Sequence, residues 1–159
     1  MIMAIVVDVN SFPSVFDPSN EHHADFMPVK EWIHRRDGFL IFGGTTFKTE
    51  LIKSHHRARL VRLLKDAGMA VEIRDDIVDR LEQEVKKLTQ GSACDDPHVI
   101  ALLAAARCPL LCSQDKRSFP FIKNKAYFPK GSCKVRIYTG IRNASLLKPA
   151  KRSIIANAI

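Results

Sequence analysis

The chain has 159 residues, of which 46% are hydrophobic and 26% are charged. These values are typical of one compact domain with a sizeable apolar core, because two domains would each be too small to be stable alone. Asp8 interrupts the apolar N-terminal run and no basic flank precedes that run, so we expect neither a membrane span nor a secretion signal.

The short apolar runs and the helical periodicities alternate along the chain. Short β-branched runs predict buried strands, and apolar residues at steps of three or four predict helices. In the first half of the chain, the pattern predicts a strand over 4–9, a proline-rich connection over 11–28, a short helix over 29–36, a strand over 39–42 and a helix from Thr45 or Thr46 to 67. In the second half, it predicts a strand over 69–73, a helix from Asp75 to before Gly91, a helix over 97–107, a strand over 108–113 and an edge strand over 134–138.

This alternation favours an α/β fold with a mostly parallel sheet covered by helices on both faces. We expect the domain to occupy residues 1–141 and a basic, weakly ordered tail to occupy residues 142–159. In such sheets, binding sites form beyond the carboxyl ends of the strands.

Cysteines and histidines give no sign of a zinc site. The cysteines at positions 94, 108, 112 and 133 include no CxxC pair, and the six histidines do not stand at ligand spacing around them. We therefore expect free thiols and a cytoplasmic location.

Basic residues are concentrated in the C-terminal part of the chain. Residues 116–159 contain 11 of the 25 Lys and Arg residues and no Asp or Glu, whereas the first 115 residues hold all 17 acidic ones. Clustered Lys and Arg displace the counterions condensed on nucleic acid, so this polarity favours a polyanionic partner. A basic tail that only aids solubility is the simpler alternative.

Four acidic residues fall where the predicted topology brings strand ends and helix starts to one edge of the sheet. Asp8 ends the first strand, Asp115 follows the strand over 108–113, Asp96 opens the helix before that strand, and Glu50 lies on the helix after the second strand. Two carboxylates about 4 Å apart repel by roughly 4 kcal/mol at an effective dielectric of 20, so a converging group needs protons or a cation. Oxygen ligands without His or Cys favour Mg²⁺ or Mn²⁺.

Each acid also has a structural interpretation. Asp96 before Pro97 suits a helix N-cap, Asp115 could cap a short helix, and Glu50 could be a solvated helix residue. Asp8 is the hardest to explain in this way, because a carboxylate in an apolar strand costs several kcal/mol unless it is paired or metal-bound.

These motifs resemble the PIN-domain family of metal-dependent ribonucleases. The run VVDVN is similar to the family's opening strand, TEL around Glu50 to its acidic helix, and DDPHVIALLAAARCPLLCSQD to its most specific stretch. The resemblance implies a three-layer α/β/α sandwich, a bound Mg²⁺ or Mn²⁺, and Asp8, Glu50, Asp96 and Asp115 as catalytic and metal-binding acids. It also implies supporting roles for Asn10 and Ser113, and the third acid could be Asp95 or Asp96.

The leading hypothesis is an endoribonuclease whose basic C-terminal third binds the RNA backbone through Lys116, Arg117, Lys123, Lys125 and Arg136. The main alternative is a non-catalytic RNA-binding module that stacks bases on Tyr127, Phe128 and Tyr138. A DNA-directed nuclease comes next. A phosphatase of the haloacid dehalogenase type comes last, because Asn10 stands where that chemistry needs a second Asp. A protein antitoxin and a homodimer remain open as partners.

Overall fold

Within residues 3–149, which the computed structural model describes, five short apolar segments form one parallel sheet. The strands are β1 (Ala4–Val7), β2 (Phe39–Gly43), β3 (Ala70–Ile73), β4 (Leu110–Cys112) and β5 (Arg136–Tyr138). The α-helices between them are α1 (Phe12–Phe16), α2 (His23–His34), α3 (Thr45–Leu51), α4 (His55–Asp66), α5 (Asp75–Leu88), α6 (Pro97–Ala106) and α7 (Phe119–Ile122).

The strand order is β3-β2-β1-β4-β5, with every neighbouring pair parallel. The chain moves outward from β1 to β3 and then crosses to the other side of β1 to add β4 and β5. Right-handed crossovers therefore put the helices of the two halves on opposite faces, which gives the three-layer α/β/α sandwich predicted from the sequence. The order reverses between β1 and β4, so a crevice forms beyond the carboxyl ends of these two strands.

The core runs through the middle of the sheet. All four residues of β1 are buried, and Val6 lies between Ile41 of β2 and Leu111 of β4. Helix α6 closes one face with six consecutive buried residues, from His98 to Leu103. Because β1 is covered on both faces, it carries a continuous apolar run instead of an alternating one.

The proline-rich connection predicted over 11–28 is wrong. A 3-10 helix (Val9–Ser11) and α1 begin the segment, and α2 starts at His23, six residues before the predicted short helix. Pro28 lies inside α2, yet the helix continues because Phe26, Val29 and Ile33 bury one face against the core. Packing of that face outweighs the backbone hydrogen bond that proline removes.

The single helix predicted over 45–67 is two helices. Helix α3 ends at Leu51, and Ser54 starts α4 by adopting an extended backbone and accepting a hydrogen bond from the Arg57 N–H at 3.4 Å. Gly44, not a threonine, holds the N-cap position of α3, so the predicted threonine cap is also wrong.

The packed unit continues past residue 141, the boundary expected from the sequence. Ile141–Leu146 forms a 3-10 helix, Leu146 and Leu147 pack against the core, and the indole N–H of Trp32 donates to the Lys148 carbonyl at 2.6 Å. Residues 150–159 of the predicted tail lie outside the described residues. Across residues 3–149, no helix is long and apolar enough to cross a membrane.

Candidate active site

A polar cavity of about 270 Å³ lies at the carboxyl edge of the sheet, beside the reversal of strand order. We call it the acid cavity. Its lining residues are Asp8, Val9, Asn10, Glu50, Lys53, Arg57, Asp96 and Asp115. All four predicted acids and the predicted companion Asn10 are therefore brought together, although they come from four separate segments of the chain.

Ser113 connects the acids that follow β1 and β4. Asp8 continues the pairing of these strands, since its N–H donates to the Cys112 carbonyl at 2.9 Å. The buried hydroxyl of Ser113 then donates to Asp8 Oδ2 at 3.3 Å and accepts from the Asp115 N–H at 3.1 Å. The serine therefore links the Asp8 carboxylate to the Asp115 backbone.

The pKa values of Asp8 and Asp96 are raised in the acid cavity. Burial is the largest cause of the rise in the pKa of Asp8 to about 6, and the negative charges of Asp96, Asp115 and Glu50 add to it. The pKa of Asp96 is also raised, mainly by burial and then by Asp115 and Glu50, while His98 opposes the rise. Both carboxylates are therefore costly to ionise here without a compensating positive charge.

Asp96, not Asp95, lines the acid cavity. Asp96 holds the N-cap position of α6, but its side chain makes no capping hydrogen bond, so the structural interpretation of this residue does not apply. Asp95 is exposed and, together with Asp96 and Asp115, borders a separate small cavity. The structure thus distinguishes two adjacent aspartates between which the sequence alone could not choose.

Asp115 lines the acid cavity and also caps a short helix. Its Oδ1 accepts from the Arg117 N–H at 3.2 Å and from Arg117 Nε at 3.3 Å, so it does cap the 3-10 helix that follows (Lys116–Ser118). The Arg117 side chain is 86% exposed, and an ion pair this open to water is weak and easily exchanged. Asp115 therefore remains available to the cavity.

Glu50 reaches the cavity from the last turn of α3, and His98 lies against it. The two side chains approach within 3.3 Å, from His98 Nε2 to Glu50 Oε2. His98 is buried on α6, whereas the Glu50 side chain is 40% exposed. Sequence reasoning missed His98 because an isolated histidine in an apolar helix gives no sign of which side chain it will meet.

Helix α3 is held in place from α5. Its first amides have no side-chain cap of their own, and instead the Gly44 N–H donates to Asp75 Oδ1 at 3.1 Å and the Thr45 N–H to Asp79 Oδ1 at 2.8 Å. The Thr45 hydroxyl adds a bond to Asp79 Oδ2 at 2.6 Å. The glycine is required, because its φ is +87° and a Cβ there would clash with Val78.

Two basic residues beside the acids were also missed. Lys53 lies in the turn between α3 and α4, and Arg57 lies on the first turn of α4. Arg57 donates from Nη2 to the Glu50 carbonyl at 2.9 Å and from Nε to the Leu51 carbonyl at 3.3 Å, which caps the end of α3. Ser54 is of a residue type favoured at helix N-caps, and that preference could have revealed this turn.

Within residues 3–149, no group of three or more His, Cys, Asp or Glu side chains is arranged so that it could hold a metal ion. The four carboxylates share a cavity without forming a closed ligand set. Their chemistry nevertheless fits a hard cation, since all four are oxygen donors and burial makes the charges of Asp8 and Asp96 costly. A cation would have to draw them together, and the half-exposed Glu50 has the most room to move.

The five predicted RNA-binding residues are all exposed, on the segment that follows Asp115 and on β5. Arg117 is the one whose side chain pairs with an acid of the cavity. Among the described residues, nothing ties Lys116, Lys123, Lys125 or Arg136 to the acid cavity, so their role stays a prediction.

Comparison with models of known protein families gives no match for this chain, and comparison with curated proteins gives none either. What the site can do therefore follows from its own geometry and chemistry.

Proposed function

We propose that this protein is a metal-dependent endoribonuclease of the PIN type, with its active site in the acid cavity. The observation that carries the proposal is the meeting of Asp8, Glu50, Asp96 and Asp115 in one cavity at the strand-order reversal. Buried carboxylates in proteins are usually paired with a positive charge. Buried His98 lies against Glu50 and exposed Arg117 pairs with Asp115. Among the described residues no ion pair involves Asp8 or Asp96, the two acids whose pKa burial raises. Such a cluster is better explained by a ligand than by stability.

The acids would hold Mg²⁺ or Mn²⁺. Asp8, Asp96 and Glu50 are the main candidate ligands, Asp115 completes the ring, and Ser113 keeps Asp8 oriented. A bound divalent cation lowers the pKa of water and neutralises charge on a phosphodiester, which is the chemistry that hydrolysis needs. Lys53 and Arg57 lie on the same cavity and give the phosphate positive partners outside the acid set.

RNA is the proposed substrate because the PIN-domain resemblance implies it, and the exposed basic residues beyond Asp115 can neutralise a nucleic-acid backbone. The proposal places the enzyme in the cytoplasm. A protein antitoxin and a homodimer belong to the same proposal as possible partners, and identifying what co-purifies with the native protein tests the first.

The test is cleavage of a labelled single-stranded RNA in Mn²⁺ compared with EDTA. We expect cleavage by the wild type in Mn²⁺, and a loss of about 100-fold or more in Asp8→Asn, because a ligand and a shared charge are removed. Asp66→Asn is the matched control, since Asp66 is an exposed acid at the end of α4. Preparing all three proteins identically excludes a contaminating nuclease.

Equal cleavage by the wild type and Asp8→Asn would contradict the proposed site. Binding of RNA without cleavage in Mn²⁺ or Mg²⁺ would favour a non-catalytic RNA-binding module. The base stacking expected for that module on Phe128 and Tyr138 is wrong, because both rings are buried. Cleavage of single-stranded DNA but not RNA would favour the DNA-directed alternative.

A further inference from the structure

A second cavity of about 500 Å³ adjoins the acid cavity, and we call it the aromatic cavity. Its lining residues are Phe12, Pro13, Phe16, Asp17, Pro18, Ser54, His56, Arg57 and Leu60. Arg57 lines both cavities, so they meet at this residue. The volume lies in the range of about 300–1,000 Å³ that is usual for small-molecule sites.

The walls of the aromatic cavity suit a flat, partly polar ligand. Phe16 is half-buried and packs on buried Phe12, with ring centroids 5.5 Å apart, so its ring is held in position. Half-buried Leu60 and exposed His56 from α4 complete the apolar and aromatic lining. Aromatic rings held in this way are what proteins use to stack the bases of single-stranded nucleic acid.

The rim of the cavity carries a hydrogen-bond acceptor. Asp17 follows α1, and its Oδ1 accepts from the Ser19 N–H at 2.9 Å and from the Ser19 hydroxyl at 2.7 Å. Both bonds orient the carboxylate through one oxygen, so the other can accept from a ligand. Adenine, cytosine and guanine carry an exocyclic amino group that could donate to it, whereas uracil presents a carbonyl oxygen instead.

We propose that the aromatic cavity binds one amino-bearing nucleobase of the RNA, from a nucleotide next to the phosphate held in the acid cavity. This inference rests on the proposed function. Arg57 lies where the sugar-phosphate backbone would cross from one cavity to the other, and only two of its five donors are used on the α3 carbonyls. The two cavities together would bind a nucleotide by its base and its neighbouring phosphate.

Binding measured without cleavage tests the subsite separately from catalysis. The probes are fluorescently labelled oligoadenylate, oligocytidylate, oligouridylate and an abasic oligonucleotide of the same length, added to the full chain in EDTA and followed by anisotropy. We expect oligoadenylate and oligocytidylate to bind more tightly than oligouridylate, and the abasic probe to bind most weakly.

Three variants locate the effect. Phe16→Ala and His56→Ala should each weaken oligoadenylate binding by roughly 10-fold and leave the abasic probe unchanged, because base stacking is removed while the phosphate-binding groups stay in place. Leu63→Ala is the matched control, since Leu63 lies on α4 but is 57% exposed outside the cavity. Because His56 is exposed, His56→Ala still tests the subsite if Phe16→Ala fails to fold.

The outcomes separate the two proposals. If His56→Ala and a folded Phe16→Ala bind every probe as the wild type does, the base subsite is overturned, even if the protein cleaves RNA. If the variants lose base-dependent binding but the wild type never cleaves RNA, the subsite stands and the nuclease proposal fails.

Discussion

Asp8 follows a fully buried strand and shares its cavity with three other carboxylates. Burial and these neighbours raise its pKa to about 6, well above the ordinary value for aspartate. Folding therefore favours the protonated form of Asp8. In the metal-free protein this stabilising effect is complete below the unfolded-state pKa and is lost as pH rises through the folded-state pKa.

We predict that Asp8→Asn becomes increasingly more stable than the wild type as pH rises from about 4 to about 7 in EDTA. The difference in the free energy of unfolding should grow by on the order of 3 kcal/mol, which corresponds to a pKa shift of about two units. Urea unfolding at several pH values measures it. A difference that stays constant over this pH range would mean that Asp8 ionises normally.

Asp17→Asn is the control for the direction of the pH effect on stability. Hydrogen bonds from Ser19 lower the pKa of Asp17, so this aspartate favours folding only when it is ionised. The variant should therefore lose stability relative to the wild type as pH rises through the acidic range, which is the opposite direction from Asp8→Asn.

A second residue-scale prediction concerns added metal. At pH 7 we expect Mn²⁺ to raise the thermal midpoint of the wild type, because a ligand that binds the folded state alone stabilises it. Differential scanning fluorimetry with and without EDTA measures the shift, which should disappear in Asp8→Asn and persist in Asp66→Asn. An equal shift in all three proteins would indicate nonspecific binding.

At the scale of elements, α3 is the part that delivers Glu50. It has only seven residues, and carboxylates of α5 satisfy its first amides. Negative charge at a helix N-terminus is favourable for its dipole as well as for its unpaired N–H groups. The position of Glu50 thus depends on a neighbouring helix and not on the sequence of α3 alone.

We predict that Asp79→Ala lowers the free energy of unfolding by about 1–2 kcal/mol, because it removes the acceptor for the Thr45 amide and hydroxyl. It should also weaken Mn²⁺ binding, since α3 carries Glu50. Chemical unfolding and calorimetric titration measure the two effects. Asp76→Ala is the matched control, because exposed Asp76 on the same helix pairs with Arg74 instead.

The strands and their parallel arrangement could be predicted because β1, β2 and β4 are short apolar runs whose identity depends on local sequence, whereas the strand order could not. Asp8 and Asp115 could be predicted for the same reason, since the carboxyl ends of parallel strands meet at one edge. Helices α1 and α2 could not, because prolines signal a loop locally while Phe26, Val29 and Ile33 are buried only by tertiary contacts. Lys53 and Arg57 stand three and seven residues after Glu50, so even the continuous helix predicted over 45–67 would place them on the face of Glu50. That spacing was the signal that could have found them.

At the scale of the whole molecule, charge is divided between the two parts of the chain. Residues 116–149 include nine Lys and Arg residues, all exposed, and no acidic residue. Such a surface contributes to nucleic-acid affinity through counterion release, whatever the sequence of the nucleic acid. It would therefore add to RNA binding without choosing the site of cleavage.

We predict that the double variant Lys123→Gln/Lys125→Gln weakens RNA binding most at low salt. The slope of log affinity against log salt concentration should become shallower by about one for each phosphate that the protein no longer neutralises. Lys87→Gln, an exposed lysine on α5, should leave the slope unchanged. An unaltered slope in the double variant would place the RNA on another face.

The scattering of the acids along the chain has a consequence for synthesis. A nascent polypeptide that has left the ribosome only as far as β3 possesses Asp8 and Glu50 but neither Asp96 nor Asp115, so the cavity has half of its carboxylates. Under the proposed function, a growing chain could not cut the message or the ribosomal RNA beside it. Hydrolytic activity would arise only after β4 had emerged and inserted next to β1.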